Sequence, residues 1–430
     1  MKNFVQWMSK SALVASSRSE PAATFLYKII VEKVMAKKKV KEEEDIFSAL
    51  AEETGADVLS EQDPVKYFVD TGNLALNFIC SGKYIDGGIP GSRLTEVFGE
   101  ESSAKSLIAT NVLYGCQKLG GYAIILDTEN TMNSEFAANA SHLDTRKVLI
   151  YNPPSLESAF KKIHTVVEKI RARDKESPIV VVYDSITVSA SDRELREIEL
   201  PEEYTEAQFK SIVGAKEQPG ERAKICSREF RKITPMLDSK NVTLLIVNQL
   251  RSQIGVMFGD PNTTGGGGKA LKYYATCRLA TASAKRIVEK IDGVKLETPI
   301  GVNINVSNKK NKAYKPYMAT KGLQLFFDKG INPITGLLTI FLQDKRVDVR
   351  GSGNFSVRDA YLPEGVKEYN FKSSVERNDV PIKLLLECPA LVGAKTGEEV
   401  SNYLSAFDAA IQQSASKDVQ ENDVSEDNDD

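Results

Sequence analysis

Histidine and tryptophan are nearly missing from this chain: His142, His164 and one tryptophan stand among 430 residues. So small a set excludes a histidine-rich metal centre. The five cysteines, Cys80, Cys116, Cys226, Cys277 and Cys388, are scattered and form no C-x-x-C pair. That excludes a cysteine-based zinc site and fits a reducing compartment, read here as the cytoplasm. No apolar run reaches the roughly 18 residues of a membrane span. A net charge of -3 excludes a polycation that coats nucleic acid wholesale. The charge is uneven, since DVQENDVSEDNDD (418–430) holds seven acids and no base, which leaves the rest of the chain net positive.

With 41% apolar and 27% charged residues, the chain has the composition of a soluble protein large enough for more than one domain. Residues 1–35 read as an extension or unstructured leader. They lack a clear apolar h-region, and Met35 opens AKKKVKEEEDIF like a natural start; a mitochondrial presequence is the sharper alternative. Residues 36–65 hold a charge run and a short amphipathic helix with Ile46, Phe47, Leu50 and Ala51 on one face. A core is expected over 66–346, a C-terminal domain over 347–413 and a disordered acidic tail over 414–430.

Within the core, LTEVFG, YAIILD, KVLIY, IVVVYD and VTLLIVNQL are β-branched, apolar runs separated by helical patterns. Such alternation predicts an α/β fold with a central, mostly parallel sheet flanked by helices. Beyond 279 the texture becomes hairpin-like.

The strand ends carry the chemistry, because ligands of open parallel sheets bind there. GEESSAKS (Gly99, Glu100, Glu101, Ser102, Ser103, Ala104, Lys105, Ser106) joins a strand to a helix and has the outline of the phosphate loop G-x-x-x-x-G-K-[ST]. Backbone N–H groups and the helix start would hold phosphate, Lys105 the terminal phosphates, and Ser106 Mg²⁺. Alanine replaces the last glycine. Residue 104 opens the helix, where right-handed φ suits alanine without strain, so weakened or altered nucleotide binding, not its loss, is expected. Asp184 closes IVVVYD where it could hold Mg²⁺ through water. Glu129 in LDTEN could orient or deprotonate water, and Gln249 in IVNQL could sense a γ-phosphate. Each alone would be an ordinary cap or turn residue. RSQIGVMFGDPNTTGGGGKALKYYA then places apolar side chains and four glycines at the ligand end of the sheet, a composition that suits single-stranded nucleic acid.

Taken in order, LTEVFGEESSAKS, LDTEN, VVVYDS and IVNQLRSQIGVMFGDPNTTGGGGKALKYYA resemble the RecA family of DNA strand-exchange ATPases, over about residues 60 to 345. The loop without its last glycine, RKITPMLDSKNV, FFDKGINPITGLL and the acidic tail resemble phage members of that family. The resemblance implies a RecA-like P-loop ATPase core with ATP and Mg²⁺ as cofactors. It also implies single- and double-stranded DNA as partners, self-association into a helical filament through the N-terminal segment, and single-strand-binding and loader proteins besides.

Residue by residue, Phe136 matches the ring that stacks on adenine, the alternative being a core aromatic. Arg251, Ile254, Gly255, Met257, Phe258, Gly265, Gly266, Gly267, Gly268 and Lys269 match the second DNA-binding loop or its borders. Residues 189–218 match the first loop but are longer and more acidic. Lys224 and Arg231 match arginines on the DNA backbone. Lys310 and Lys312 match lysines that reach a neighbouring subunit's ATP, the alternative being a basic hairpin on DNA. Lys272 and Tyr273 match the subunit interface. The tail would compete with DNA for the basic surface. A hexameric helicase and a non-hydrolysing DNA-binding mediator are the alternative functions.

Overall fold

The structure is a computed structural model that describes residues 46–56, 65–197, 205, 207–208, 220–252, 262–264, 267–291, 294–351, 353–373 and 378–405. The chain divides into two units, 1–64 and 65–430. In the first, residues 46–54 are helical, and Ile46, Phe47 and Leu50 are exposed.

The second unit opens with a two-stranded pair, β1 (Phe68–Val69) and β2 (Ile89–Pro90). The same unit holds a ten-stranded sheet. Its parallel part is built from β3 (Leu94–Gly99), β4 (Tyr122–Asp127), β5 (Val148–Tyr151), β6 (Ile179–Asp184) and β7 (Val242–Ser252) in the spatial order β3-β7-β6-β4-β5. These are the five apolar runs of the sequence. Burial on both faces explains why the inner strands lack polar alternation, whereas edge strand β5 leaves Leu149 and Ile150 exposed. Along β4, Ala123 and Ile125 face one apolar cluster, and Ile124 and Leu126 the other. In β6, Val180 and Val182 divide from Val181 and Tyr183 in the same way, as period-two side chains must. Helices Leu74–Ser81, Lys105–Lys118 and Leu337–Gln343 contribute to the first cluster, and Leu156–Arg171 and Glu221–Ser239 to the second. Val347, Phe355, Phe371 and Leu384, from beyond residue 346, also pack in the first cluster.

After a short β8 (Asn262–Thr264), antiparallel to the end of β7, come helix Gly268–Tyr274 and three long strands. They are β9 (Cys277–Ile291), β10 (Val294–Asn311) and β11 (Ala319–Phe326), with β12 (Gly330–Ile331) at the edge. The stretch KALKYYATCRL is therefore split between a helix and a strand. Its Leu271 joins a helical packing cluster, whereas Cys277 and Leu279 alternate as strand residues against β3. β9 runs parallel to β3 but antiparallel to β10, so it converts the parallel half of the sheet into a meander.

Register decides what meets at the strand ends. Gly99 lies opposite Gln249 on one side and Thr281 on the other, and Asp127 lies opposite Asp184. A Cβ at Gly99 would sit 2.2 Å from the Thr281 carbonyl oxygen and 2.3 Å from its hydroxyl. We expect Gly99→Ala to destabilise the protein by about 1–3 kcal/mol through overpacking. The measurement is thermal or urea unfolding, and an unchanged midpoint would contradict this packing.

Candidate functional site

The phosphate-loop candidate leaves β3 at Gly99 and enters the helix at Lys105. Ser103 is fully buried; its hydroxyl donates to the Glu100 carbonyl at 2.7 Å and shares a 2.8 Å hydrogen bond with the Thr281 hydroxyl. The loop is thus pinned to β9, a partner 178 positions away that no local motif could reveal.

Ala104 departs from expectation. Its φ is 60° and ψ 28°, in the left-handed region, and Ser102 also has positive φ, at 57°. Left-handed residues build the concave turns in which backbone N–H groups bind anions. The chain must change hand here before the helix can start, and the missing glycine is therefore a real conformational cost, of about 1 kcal/mol. Packing of the Ala104 methyl against the core offsets part of it.

Lys105 Nζ donates to the Glu100 carbonyl at 2.5 Å. Burial lowers its pKa, opposed by the charges of Asp184, Glu129 and Glu101. Across the cleft, the Ser106 hydroxyl donates to Asp184 Oδ2 at 2.6 Å. Glu129 Oε1 accepts from the Ser185 hydroxyl at 2.9 Å and from Gln249 Nε2 at 3.1 Å. Thr128 adds a brace: its hydroxyl donates to the Ser185 carbonyl at 2.8 Å. Asp127, which the sequence did not single out, accepts from the N–H groups of Glu129 and Met132 and so sets the turn that carries Glu129. Together Glu101, Ser102, Ser103, Ala104, Lys105 and Ser106 line a cleft of about 200 Å³ with Glu129, Asp184 and Gln249.

Burial is the main cause that pushes the Asp184 carboxyl up to about 6; Glu129 and Asp127 add to it, and the Ser106 hydroxyl and Lys105 oppose it. The buried Asp184 carboxyl with the adjacent Ser106 hydroxyl is a hard oxygen donor set, of the kind that shares Mg²⁺ with phosphate oxygens. The residues fit that ion.

Other expected residues lie elsewhere. Phe136 does not line the cleft; it is 43% exposed on helix Ser134–Ser141, so it is no core aromatic. Lys224 and Arg231 are exposed on helix Glu221–Ser239. Lys310 lies on β10 with its Nζ on the carbonyls of Lys272 (2.6 Å) and Tyr273 (2.9 Å), capping the C-terminal end of helix Gly268–Tyr274. Burial lowers its pKa, and the charges of Lys312 and Arg278 lower it further. Lys312 and Lys269 are exposed, as is Tyr273 at 74%. Gly267 and Gly268 have φ of 76° and 55°, and their closest neighbours are Leu271 and Ala223 of this same chain. Ile254, Gly255, Met257, Phe258, Gly265 and Gly266 lie outside the described residues, as do the Arg251 side chain, most of the 189–218 stretch and the acidic tail.

A family model, the RecA N-terminal domain, matches residues 57–332. The Protein RecA of Ureaplasma parvum is 30% identical over 319 residues, 74% of this chain and 83% of that protein. That of Rhodopirellula baltica is 31% identical over 73% of this chain and 74% of its own length. That of Thermus aquaticus is 28% identical over 69% and 77%.

Two outcomes test this geometry. Ala104→Gly should raise stability by about 1 kcal/mol, read as a higher melting temperature, because it relieves the left-handed residue. Asp184 holds its proton more tightly folded than unfolded, where a carboxyl titrates near 4. Its contribution to stability is therefore largest at low pH and is lost as pH rises from about 4 through about 6. A cation at Ser106 and Asp184 needs the carboxylate. Mg²⁺-dependent nucleotide affinity should thus fall by up to about tenfold per pH unit below 6, and titration calorimetry should show proton release there. Asp184→Asn should abolish both pH trends.

Proposed function

Since this chain belongs to the RecA family of DNA recombinases, we propose that it is an ATP-dependent recombinase that forms helical filaments on single-stranded DNA and catalyses homologous pairing and strand exchange. The observation that carries the reading is one cleft that gathers Lys105, Ser106 with Asp184, and Glu129 with Gln249, each donor within 2.5–3.1 Å of its partner.

In the proposed mechanism, Lys105 exchanges the Glu100 carbonyl for the terminal phosphates of ATP. Ser106 and Asp184 would hold Mg²⁺, which when bound neutralises charge on phosphate oxygens. Glu129, oriented by Ser185, takes the proton of the attacking water as its oxygen bonds to the γ-phosphorus and the bond to ADP breaks. Gln249, released from Glu129, follows the γ-phosphate. Its strand leads directly into the stretch matched to the second DNA-binding loop, so occupancy of the cleft would set how firmly DNA is gripped. Lys310 and Lys312 would reach the neighbouring protomer's phosphates, and exposed Phe136 would stack on adenine. Self-association is supported by exposed apolar residues in each unit: Ile46, Phe47 and Leu50 in one, Leu149 and Ile150 on edge strand β5 in the other. A nearer kinship to phage members rests on the loop without its last glycine, the motifs RKITPMLDSKNV and FFDKGINPITGLL and the acidic tail; the relatives reported above are bacterial.

ATP hydrolysis measured with and without single-stranded DNA tests the reading. Glu129→Gln should lower kcat by about 10²–10⁴-fold while nucleotide binding stays within about threefold. Lys105→Ala serves as the inactive control. Phosphate release by the unaltered protein no greater than that control would leave an inert DNA-binding protein as the better account.

A further inference from the structure

Away from the loop, three charged residues form a row across the sheet. Glu96 on β3 lies opposite Arg278 on β9, and Arg278 lies opposite Lys310 on β10. Glu96 is fully buried and Arg278 nearly so; the Arg278 Nε donates to Glu96 Oε2, and its guanidinium lies 4.6 Å from the centre of the Phe98 ring. The other Glu96 oxygen accepts from Asn248 Nδ2 at 2.8 Å. Asn248 Oδ1 accepts from the Thr187 hydroxyl at 2.8 Å, and that hydroxyl accepts from the Gln249 N–H at 3.0 Å. Gln249 in turn donates to Glu129. A chain of polar groups, passing through the backbone and side chain of Gln249, therefore joins the carboxylate of the nucleotide cleft to Arg278, whose register partner on the next strand is Lys310. At that end, Arg278 and Lys272 line a second cleft, of about 590 Å³, with Lys309 and Lys321.

We propose that Glu96 and Arg278 are positioning residues that couple the Glu129–Gln249 pair of one cleft to Lys310 at the other side of the sheet. The inference rests on the hydrolytic reading above. Residues directly opposite on adjacent strands have Cβ atoms about 5 Å apart, close enough for Arg278 and Lys310 to repel. Glu96 neutralises Arg278 and draws it toward β3, which leaves Lys310 on the helix carbonyls. A shift of the β7 end, when Gln249 leaves Glu129, acts on Asn248 and through it on the second oxygen of Glu96. The hold on Arg278 changes, and with it the position of Lys310. Neither Glu96 nor Arg278 touches the nucleotide cleft, so their effect on hydrolysis must pass through other residues.

The test is steady-state ATP hydrolysis on single-stranded DNA by full-length Arg278→Gln, Lys310→Ala and the double variant, with melting curves alongside. Arg278→Gln should lower kcat by about tenfold with KM within about threefold, and the double variant should be no slower than Lys310→Ala alone. Losses that multiply in the double variant overturn the proposal. Because Arg278→Gln leaves a buried carboxylate unpaired, it could unfold the chain. The pair Glu96→Gln with Arg278→Gln removes both charges and keeps two amides able to hydrogen-bond. It should melt within a few degrees of the unaltered protein, yet keep the lowered kcat and show a Hill coefficient for ATP near 1. Unaltered kcat and cooperativity in that pair also overturn the proposal. Absence of hydrolysis by the unaltered protein is a separate result, which counts against the functional reading and removes the coupling with it.

Discussion

The hydrogen bond from the Ser106 hydroxyl to Asp184 ties together two segments 78 positions apart, at the one level of the sheet where strands end and helices begin. The cleft depends on that level being shared. Parallel strands in strict register bring Gly99, Gln249, Thr281, Asp127 and Asp184 to one edge. A shift of one residue in any strand would turn its terminal side chain to the opposite face. Burial at that edge pushes the Asp184 carboxyl up to about 6; Glu129 and Asp127 add to it, and the Ser106 hydroxyl and Lys105 oppose it. A cation there must displace the proton, and in return it offsets the carboxylate charge that burial makes costly.

How much of this could be read beforehand varies with the range of the interaction. The parallel strands were legible because each is a continuous β-branched run, and the loop because strand, turn and helix are adjacent in sequence. Asp184, Glu129 and Gln249 were legible for the same reason: a polar residue that ends an apolar run must lie at the strand's carboxyl end. Ala104 was not. The choice between left- and right-handed φ depends on the path from Gly99 to the helix, and Ser103, pinned to Thr281 on β9, fixes that path. Thr281 itself carries no local signal, since its role arises from the parallel pairing of β3 with a strand that also pairs antiparallel. Glu96 was hidden in LTEVF as one polar residue in an apolar strand, and its partner Arg278 lies 182 positions away on β9.

The two sides of the sheet differ electrically in a way that composition conceals. The cleft beside the loop gathers Asp184, Glu129 and Glu101 around one lysine, whereas the cleft over β9–β11 gathers Lys272, Arg278, Lys309 and Lys321 around Glu100. An acidic, cation-seeking recess and a basic, anion-seeking recess on one molecule carry opposite charge. Head-to-tail association of two copies through them would be heterologous, and an open filament is what heterologous contacts give when they do not close.

The contact between Gln249 and Glu129 sets a limit on what occupancy of the cleft can do. A hydrogen bond to a charged group contributes about 1.5–3 kcal/mol net, and this one is only partly buried. If Gln249 carries the signal, the two states of the β7 end can differ by no more than about that amount per protomer. Such a coupling changes affinity by roughly 10- to 150-fold. One protomer therefore cannot move from almost wholly weak to almost wholly tight DNA binding, a shift that needs about 10⁴-fold. Two such couplings acting on the same equilibrium add to about 3–6 kcal/mol, and only the upper end of that sum reaches the required shift. In the proposed filament, protomers that share one equilibrium would add such couplings, whereas a lone subunit has only one Gln249.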